Sequence, residues 1–167
     1  MKIPLVYRDA LDTDLPMIVR IYNSTVASRM VTADTEAVSV ASKEAWFKAH
    51  QAQTRPLWMV ETPMGEPVGW MSFQDFYGRP AYNGTAEISI YLDEKQRGNG
   101  YGKAILRYAI AQSPRLGIHT LLAFIFAHNM PSIHLFLQEG FAEWGNFPDI
   151  AVLDGIQRSL VVLGRKV

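Results

Sequence analysis

Seven consecutive residues, Arg97-Gly98-Asn99-Gly100-Tyr101-Gly102-Lys103, carry the most distinctive chemistry in the chain. Three alternating glycines strip side chains from a turn, so successive backbone N–H groups can point into one concavity. The helix that follows, Ala104-Ile105-Leu106-Arg107-Tyr108-Ala109-Ile110, adds the positive end of its macrodipole. The guest that suits such a turn is a phosphate or pyrophosphate. Just upstream, Ala86-Glu87-Ile88-Ser89-Ile90-Tyr91-Leu92 places apolar residues at the even positions and Glu87, Ser89 and Tyr91 on the other side. That is the period-two pattern of a strand with one polar face. Glu87 is the one strong candidate for acid–base work on that face.

Two familiar phosphate-binding patterns do not fit. A P-loop needs Gly-x-x-x-x-Gly-Lys-Ser/Thr, but Lys103 is followed by Ala104, which leaves no hydroxyl for a magnesium ion. A dinucleotide fingerprint follows the first strand of a βαβ array, with an acidic residue roughly 20 residues on. Here the turn lies past mid-chain, and the matching stretch holds Leu121, Leu122 and Phe124.

Arg97-x-x-Gly100-x-Gly102 resembles the Arg/Gln-x-x-Gly-x-Gly/Ala pyrophosphate loop of the GNAT N-acetyltransferase superfamily. The resemblance continues through Asn129-Met130-Pro131-Ser132 and Leu135 to Gly140-Phe141, similar to the family's Asn-x-x-Ser, helix and Gly-Phe sequence. Upstream, Ile21-Tyr22-Asn23, Asp34-Thr35-Glu36, Ala45-Trp46-Phe47 and Gly69-Trp70 are similar to the phosphinothricin acetyltransferase branch, as is a glutamate two residues before Ser89-Ile90-Tyr91. The likeness covers most of the chain and loosens after Phe141. It implies an α/β fold, a mixed and partly parallel central β-sheet flanked by helices, over a single domain of residues 1–167.

Composition sets bounds consistent with this. The chain has 167 residues, 49% hydrophobic and 19% charged, the profile of one ordered globular domain. Sixteen basic and sixteen acidic residues cancel, so no general attraction to nucleic acid or an anionic membrane is expected and any anion site is local. There is no cysteine, no signal-like segment after Met1, and no apolar run near the roughly 20 residues that span a bilayer. A soluble cytoplasmic protein is the expectation.

The elements that must position these groups follow in order. Ile3 to Tyr7 reads as a first strand. Thr13 or Asp14 can cap a helix with Pro16 in its first turn, ending before Val31. Its stripe of Leu15, Ile18, Val19, Tyr22 and Val26 has the spacing of a face packed on a sheet. A second helix spans Ser42 to Gln53, with Trp46 and Phe47 expected as buried anchors. Leu57–Thr62 and Val68–Phe73 form a hairpin around Pro63-Met64-Gly65-Glu66, and Gln74 to Gly84 is a loop. His119 to Phe126 is apolar without alternation, as in a strand covered on both faces. Asn129 and Ser132 open a short helix, and 141–146 and 156–163 are two closing strands.

The resemblance assigns roles. An amine must be neutral to attack a thioester, yet a free alkylamine has a pKa of about 10, so a base is useful. Glu87 is expected to be that base, directly or through a water. The amides from Arg97 through Lys103, that is Gly98, Asn99, Gly100, Tyr101 and Gly102 between them, are expected to hold the pyrophosphate of acetyl-CoA. Main-chain groups of Ile90, Tyr91 and Leu92 are expected to meet its pantetheine, with an oxyanion donor near Leu92 and a further contact from Asn129. Asn99 stands where the branch often has lysine or arginine. Many family members protonate the leaving thiolate with a tyrosine at the position of Phe136, which cannot donate. A thiol with a pKa near 8.5 leaves tolerably without it. His134 is close in sequence but about 200° round the helix from Phe136.

For the acceptor, Tyr77, Arg79, Glu87 and Ser89 are the expected contacts. The planar fork of Arg79 suits a carboxylate or phosphinate. His50, His119, His128 and His134 lack metal-ligand spacing, so no metal is expected. The reading is an acetyl-CoA-dependent N-acetyltransferase for a small amino-acid-like amine such as phosphinothricin or methionine sulfoximine. Its alternatives are another amine, a polyamine or a protein N-terminus, or an acyl-CoA sensor without turnover. The branch is commonly dimeric, so a homodimer is the expected assembly.

Overall fold

The alternation along Thr85–Leu92 and the uninterrupted apolar run Thr120–Phe126 build two strands whose parallel pairing joins the molecule together. The computed structural model describes residues 4–167. In chain order the elements are β1 (Val6–Asp9), α1 (Leu15–Asn23), α2 (Val40–Lys48), β2 (Leu57–Glu61), β3 (Pro67–Asp75), β4 (Thr85–Leu92), α3 (Tyr101–Gln112), β5 (Thr120–Phe126), α4 (Met130–Gln138), β6 (Ala142–Leu153) and β7 (Ile156–Lys166). The strands form one sheet in the order β1-β2-β3-β4-β5-β7-β6. Among the described residues only β4 and β5 pair in parallel, which requires a crossover, and α3 supplies it. The expected mixed, partly parallel sheet flanked by helices is the observed one.

Alternation sorts the two faces. Ile18 and Ile21 of α1 pack on Leu57, Met59 and Trp70. On the opposite face Ile105, Leu106 and Ala109 of α3 pack on Met71, Phe73 and Ile88. The odd residues of β4 therefore look toward α1 and α2, and the even ones toward α3.

Several expected boundaries shift. β1 is Val6–Asp9, starting three residues later and ending two later than the expected strand, whose Ile3 lies outside the described residues. Asp14 is the N-cap of α1, but its carboxylate accepts from Arg8 and the Leu11 amide rather than from the helix. α1 ends at Asn23, and Val26–Ser28 follows as a separate 3-10 turn. α2 is capped by Ser39, whose hydroxyl accepts from the Ser42 amide at 3.2 Å, and stops at Lys48. It buries no residue fully: Trp46 and Phe47 are half-buried, not sealed anchors. β3 runs on to Asp75, which shortens the expected loop. β6 extends to Leu153 through Pro148, because it is the sheet's edge and carries register shifts where a missing donor is tolerated.

Gly69 shows how closely β3 and β4 approach. A Cβ there would lie 2.2 Å from the Tyr91 carbonyl oxygen and 3.1 Å from Leu92 Cα, both backbone atoms that cannot rotate away. Gly69→Ala is expected to cost about 3 kcal/mol by overpacking, read as a fall in Tm. An unchanged Tm would show that the two strands separate freely.

Candidate active site

β3 and β4 are in register, so side chains on one face stand opposite one another. Trp70 faces Tyr91, Ser72 faces Ser89, and Gln74 faces Glu87. Directly opposed residues bring their Cβ atoms to about 5 Å. These six side chains line a cavity of about 250 Å³ closed over by Tyr22, Lys43 and Trp46 from α1 and α2. Tyr91 stacks on Trp70 with ring centroids 4.5 Å apart, and the Trp70 indole donates to the Ile18 carbonyl at 3.1 Å, so the aromatic end of the row is held rigidly. Tyr22 is fixed by hydrogen bonds to Thr32 and Asp34.

Glu87 sits at the polar end of this row, half-buried. Burial pushes its pKa above the ordinary glutamate value, with no neighbouring charge contributing. A carboxyl in that condition holds a proton more tightly and is a stronger base than a solvated glutamate. Tyr91 is half-buried as well, and desolvation raises its phenol far above the normal range, with Tyr22 and Glu87 adding to the shift. It remains a neutral phenol.

The same strand opens a second space. β4 and β5 pair at Thr85–Thr120, Ala86–Leu121 and Glu87–Leu122 and then part. Gly84 accepts from the Thr120 amide on the β5 side at 3.1 Å, while the Asp93 amide donates to Val68 on the β3 side at 2.9 Å. Main-chain groups alternate in direction along a strand. The even residues Ile88, Ile90 and Leu92 therefore turn their N–H and C=O groups into the gap left by β5. That gap is a cavity of about 580 Å³, and Ser89 and Tyr91 line both it and the smaller cavity. The two spaces meet at β4.

The glycine bend closes one end of the larger cavity. Gly98 and Gly100 adopt φ of +79° and +76°, a left-handed conformation that costs an L side chain roughly 1–2 kcal/mol per residue. Gly100 is the N-cap of α3, so the amides at the helix start have no intrahelical acceptor. Among the described residues, none of the amides from Arg97 to Lys103 donates to a backbone carbonyl elsewhere in turns or loops. A Cβ on Gly102 would come within 3.3 Å of the Leu135 side chain, so the bare position leaves room in the cavity. The bend is anchored by Asp93: burial opposes its ionisation, but the Lys95 amide and Arg20 hold its carboxyl below the usual range. An unoccupied set of donors at a helix N-terminus is suited to a phosphate group.

The structure brings Ile90, Tyr91, Leu92, Arg97, Gly98, Gly100, Gly102, Lys103 and Asn129 to the larger cavity. Asn129 caps α4, its Oδ1 accepting from the Ser132 amide at 3.3 Å, which leaves its amide nitrogen free to donate. Asn99 and Tyr101 are not among the lining residues. The Asn99 side chain turns back onto the Gln96 carbonyl at 3.1 Å, and Tyr101 packs on the core. Glu87 and Ser89 line the smaller cavity, whereas Tyr77 and Arg79 line neither. Tyr77 is 78% exposed, clustered with Phe76 and Tyr82, and Arg79 is exposed before a 3-10 turn. Phe136 borders the larger cavity, edge-on to Phe141, and His134 points to solvent.

Sequence reasoning missed Trp70, Ser72 and Gln74, although their alternation in Gly69-Trp70-Met71-Ser72-Phe73-Gln74 was a usable signal. It also missed Lys43 and Trp46, whose approach depends on how α2 docks. Tyr22, expected in the packed stripe of α1, lines the cavity as well, and Ile21 takes its place in the core.

Burial of Glu87 has a measurable effect on folding. Its pKa is higher folded than unfolded, so the folded state binds more protons between the two values. The stability it contributes is complete below the ordinary glutamate pKa and is lost as pH rises through the raised folded value. At neutral pH the ionised group destabilises the fold. Glu87→Gln is expected to raise Tm at neutral pH and to leave it unchanged below the carboxylate range. A lower Tm at neutral pH would show instead that the carboxylate is held by favourable partners.

The chain matches the family model described as Acetyltransferase (GNAT) family over residues 18–141. It is 54% identical over 154 residues, 92% of this chain and 94% of the relative, to the candidate phosphinothricin acetyltransferase YwnH of Bacillus subtilis (strain 168). It is 34% identical over 143 residues, 86% of this chain and 83% of the relative, to an L-methionine sulfoximine/L-methionine sulfone acetyltransferase of Pseudomonas paraeruginosa. The crystal structure of a GNAT superfamily phosphinothricin acetyltransferase from Sinorhizobium meliloti, in complex with acetyl-CoA, superposes with a TM-score of 0.90 at 27% identity, covering 100% of this chain and 89% of that one.

Proposed function

The chain belongs to the acetyltransferase (GNAT) family and is an acetyl-CoA-dependent N-acetyltransferase, and from that premise we propose that its acceptor is a small amino-acid-like amine of the phosphinothricin or methionine sulfoximine type, with Glu87 as general base. The observation that carries this reading is the junction of two cavities at β4, one ending in unpaired amides and the other holding a half-buried, unpaired carboxylate.

Acetyl-CoA supplies an activated acyl carbonyl. The amides of the glycine bend and the N-terminus of α3 suit its diphosphate, and the main-chain groups of Ile90 and Leu92 in the β4–β5 gap suit the amides of its pantetheine. The free side-chain amide nitrogen of Asn129 supports a further contact. Glu87 takes the ammonium proton of the acceptor, directly or through a water, and its raised pKa lets it compete for that proton. Leu92 donates to the developing oxyanion, a role supported by the N–H it turns into the gap. Phe136 supplies no proton, and the departing thiolate takes one from solvent, consistent with a thiol pKa of about 8.5.

Acceptor size follows from the smaller cavity. Its volume of about 250 Å³ lies below the roughly 300–1,000 Å³ of drug-sized sites, the scale of a small acceptor. Coenzyme A release with phosphinothricin and methionine sulfone as acceptors, each against acetyl-CoA alone, tests the reading. Turnover with neither, alongside turnover of a polyamine or a peptide N-terminus, would replace it.

A homodimer is part of the same proposal. Trp144, Ile150, Val152 and Ile156 leave apolar surface on the β6–β7 hairpin, each between 49% and 60% exposed. Light scattering at twice the monomer mass is the expected result, and a monomer at micromolar concentration would remove it.

A further inference from the structure

Two charged side chains line the acceptor cavity among the described residues: Glu87 on β4 and Lys43 on α2. Lys43 lies over the aromatic faces at the cavity's edge, its Nζ 5.0 Å from the centroid of Tyr22 and 6.0 Å from that of Trp46. Among the described residues it forms no ion pair. Asp34 accepts from the Tyr22 hydroxyl. A second group is also left without a partner. Ser72 Oγ is in a residue only 1% exposed, lines the cavity, and has no hydrogen-bond partner among the described residues. A buried hydroxyl with nothing to bond is costly, and a ligand oxygen or amine would satisfy it.

From this arrangement we propose that Lys43 binds the anionic end of the acceptor, so that the cavity takes a zwitterion with its amine on Glu87 and an oxyanion on Lys43. The inference rests on the reading of this cavity as the acceptor site and adds the charge that the acceptor must carry. The cavity holds one carboxylate and one ammonium, so a ligand with one positive and one negative group leaves neither unpaired. A polyamine would bring a second cation toward Lys43. Trp46, Trp70 and Tyr91 give the acceptor's methylene groups apolar walls. The oxyanion is either the α-carboxylate or a side-chain phosphinate, and both recognise an ammonium in the same way.

The test is a substrate-by-variant cycle with the full chain. Methionine sulfone, phosphinothricin and the α-carboxamide of each are assayed with wild-type, Lys43→Gln and Lys43→Arg proteins, and acetyl-CoA affinity is measured for each. Lys43→Gln is expected to raise the acceptor KM about 10- to 100-fold, the scale of a lost charged hydrogen bond, with acetyl-CoA affinity unchanged. Lys43→Arg should recover most of that loss. If the carboxylate is the bound oxyanion, methionine sulfone carboxamide should have the same KM in wild type and Lys43→Gln, because the interaction is already absent. If the phosphinate is bound, phosphinothricin carboxamide should keep the full sensitivity. A KM within twofold of wild type for every acceptor in Lys43→Gln, or an equal penalty on the acceptor without any oxyanion, overturns the role of Lys43 and leaves the acetyltransferase reading intact. Wild-type turnover of cationic or neutral amines but of neither amino acid overturns both.

Discussion

Glu87→Gln is expected to lower kcat/KM for the acceptor by about 10²- to 10⁴-fold, the usual contribution of a positioned general base, while acetyl-CoA binds as before. The amide keeps the shape and the cavity but cannot accept the ammonium proton. The pH profile separates this from a structural loss. Since burial raises the Glu87 pKa, wild-type kcat/KM should fall on the acid side with an apparent pKa above the ordinary glutamate range. In the variant that limb should be absent. The predicted gain in Tm at neutral pH makes a folding defect an easily recognised outcome. A variant with wild-type turnover and an unchanged acid limb would move the base elsewhere.

Gly100→Val should weaken acetyl-CoA binding by about 5- to 30-fold, measured by calorimetry with the acceptor absent. Gly100 has φ +76°, and a β-branched residue is a genuine outlier there. The strain of roughly 1–2 kcal/mol is most easily relieved by refolding the bend, which turns its amides away from their common focus. Each 1.4 kcal/mol lost is a factor of ten in affinity. The effect should fall on the coenzyme and not on the acceptor cavity, because Gly100 lines only the larger space. An unchanged acetyl-CoA Kd would show that the bend does not hold the diphosphate.

The bend and the strand before it were legible because their information is local. Alternating glycines next to a period-two strand state a backbone geometry within twenty residues, and no distant contact is needed to read it. The same holds for Asn129, whose side chain caps the helix it opens. Arg79 illustrates the opposite case. A guanidinium suits an anion wherever it sits, but its position relative to Glu87 depends on how a loop leaves β3, and it lies outside both cavities.

The order of residues by itself determined the strand–bend–helix unit, the polar face bearing Glu87 and the family to which the chain belongs, because these depend on spacing along a few turns of backbone. Tertiary structure alone decided that β4 and β5 part after Glu87 and Leu122, that Ser72 and Gln74 stand beside Ser89 and Glu87, and that Lys43 reaches the same cavity. Those facts arise from strand register and helix docking, which are set by burial of side chains far apart in the chain, and no local pattern encodes them.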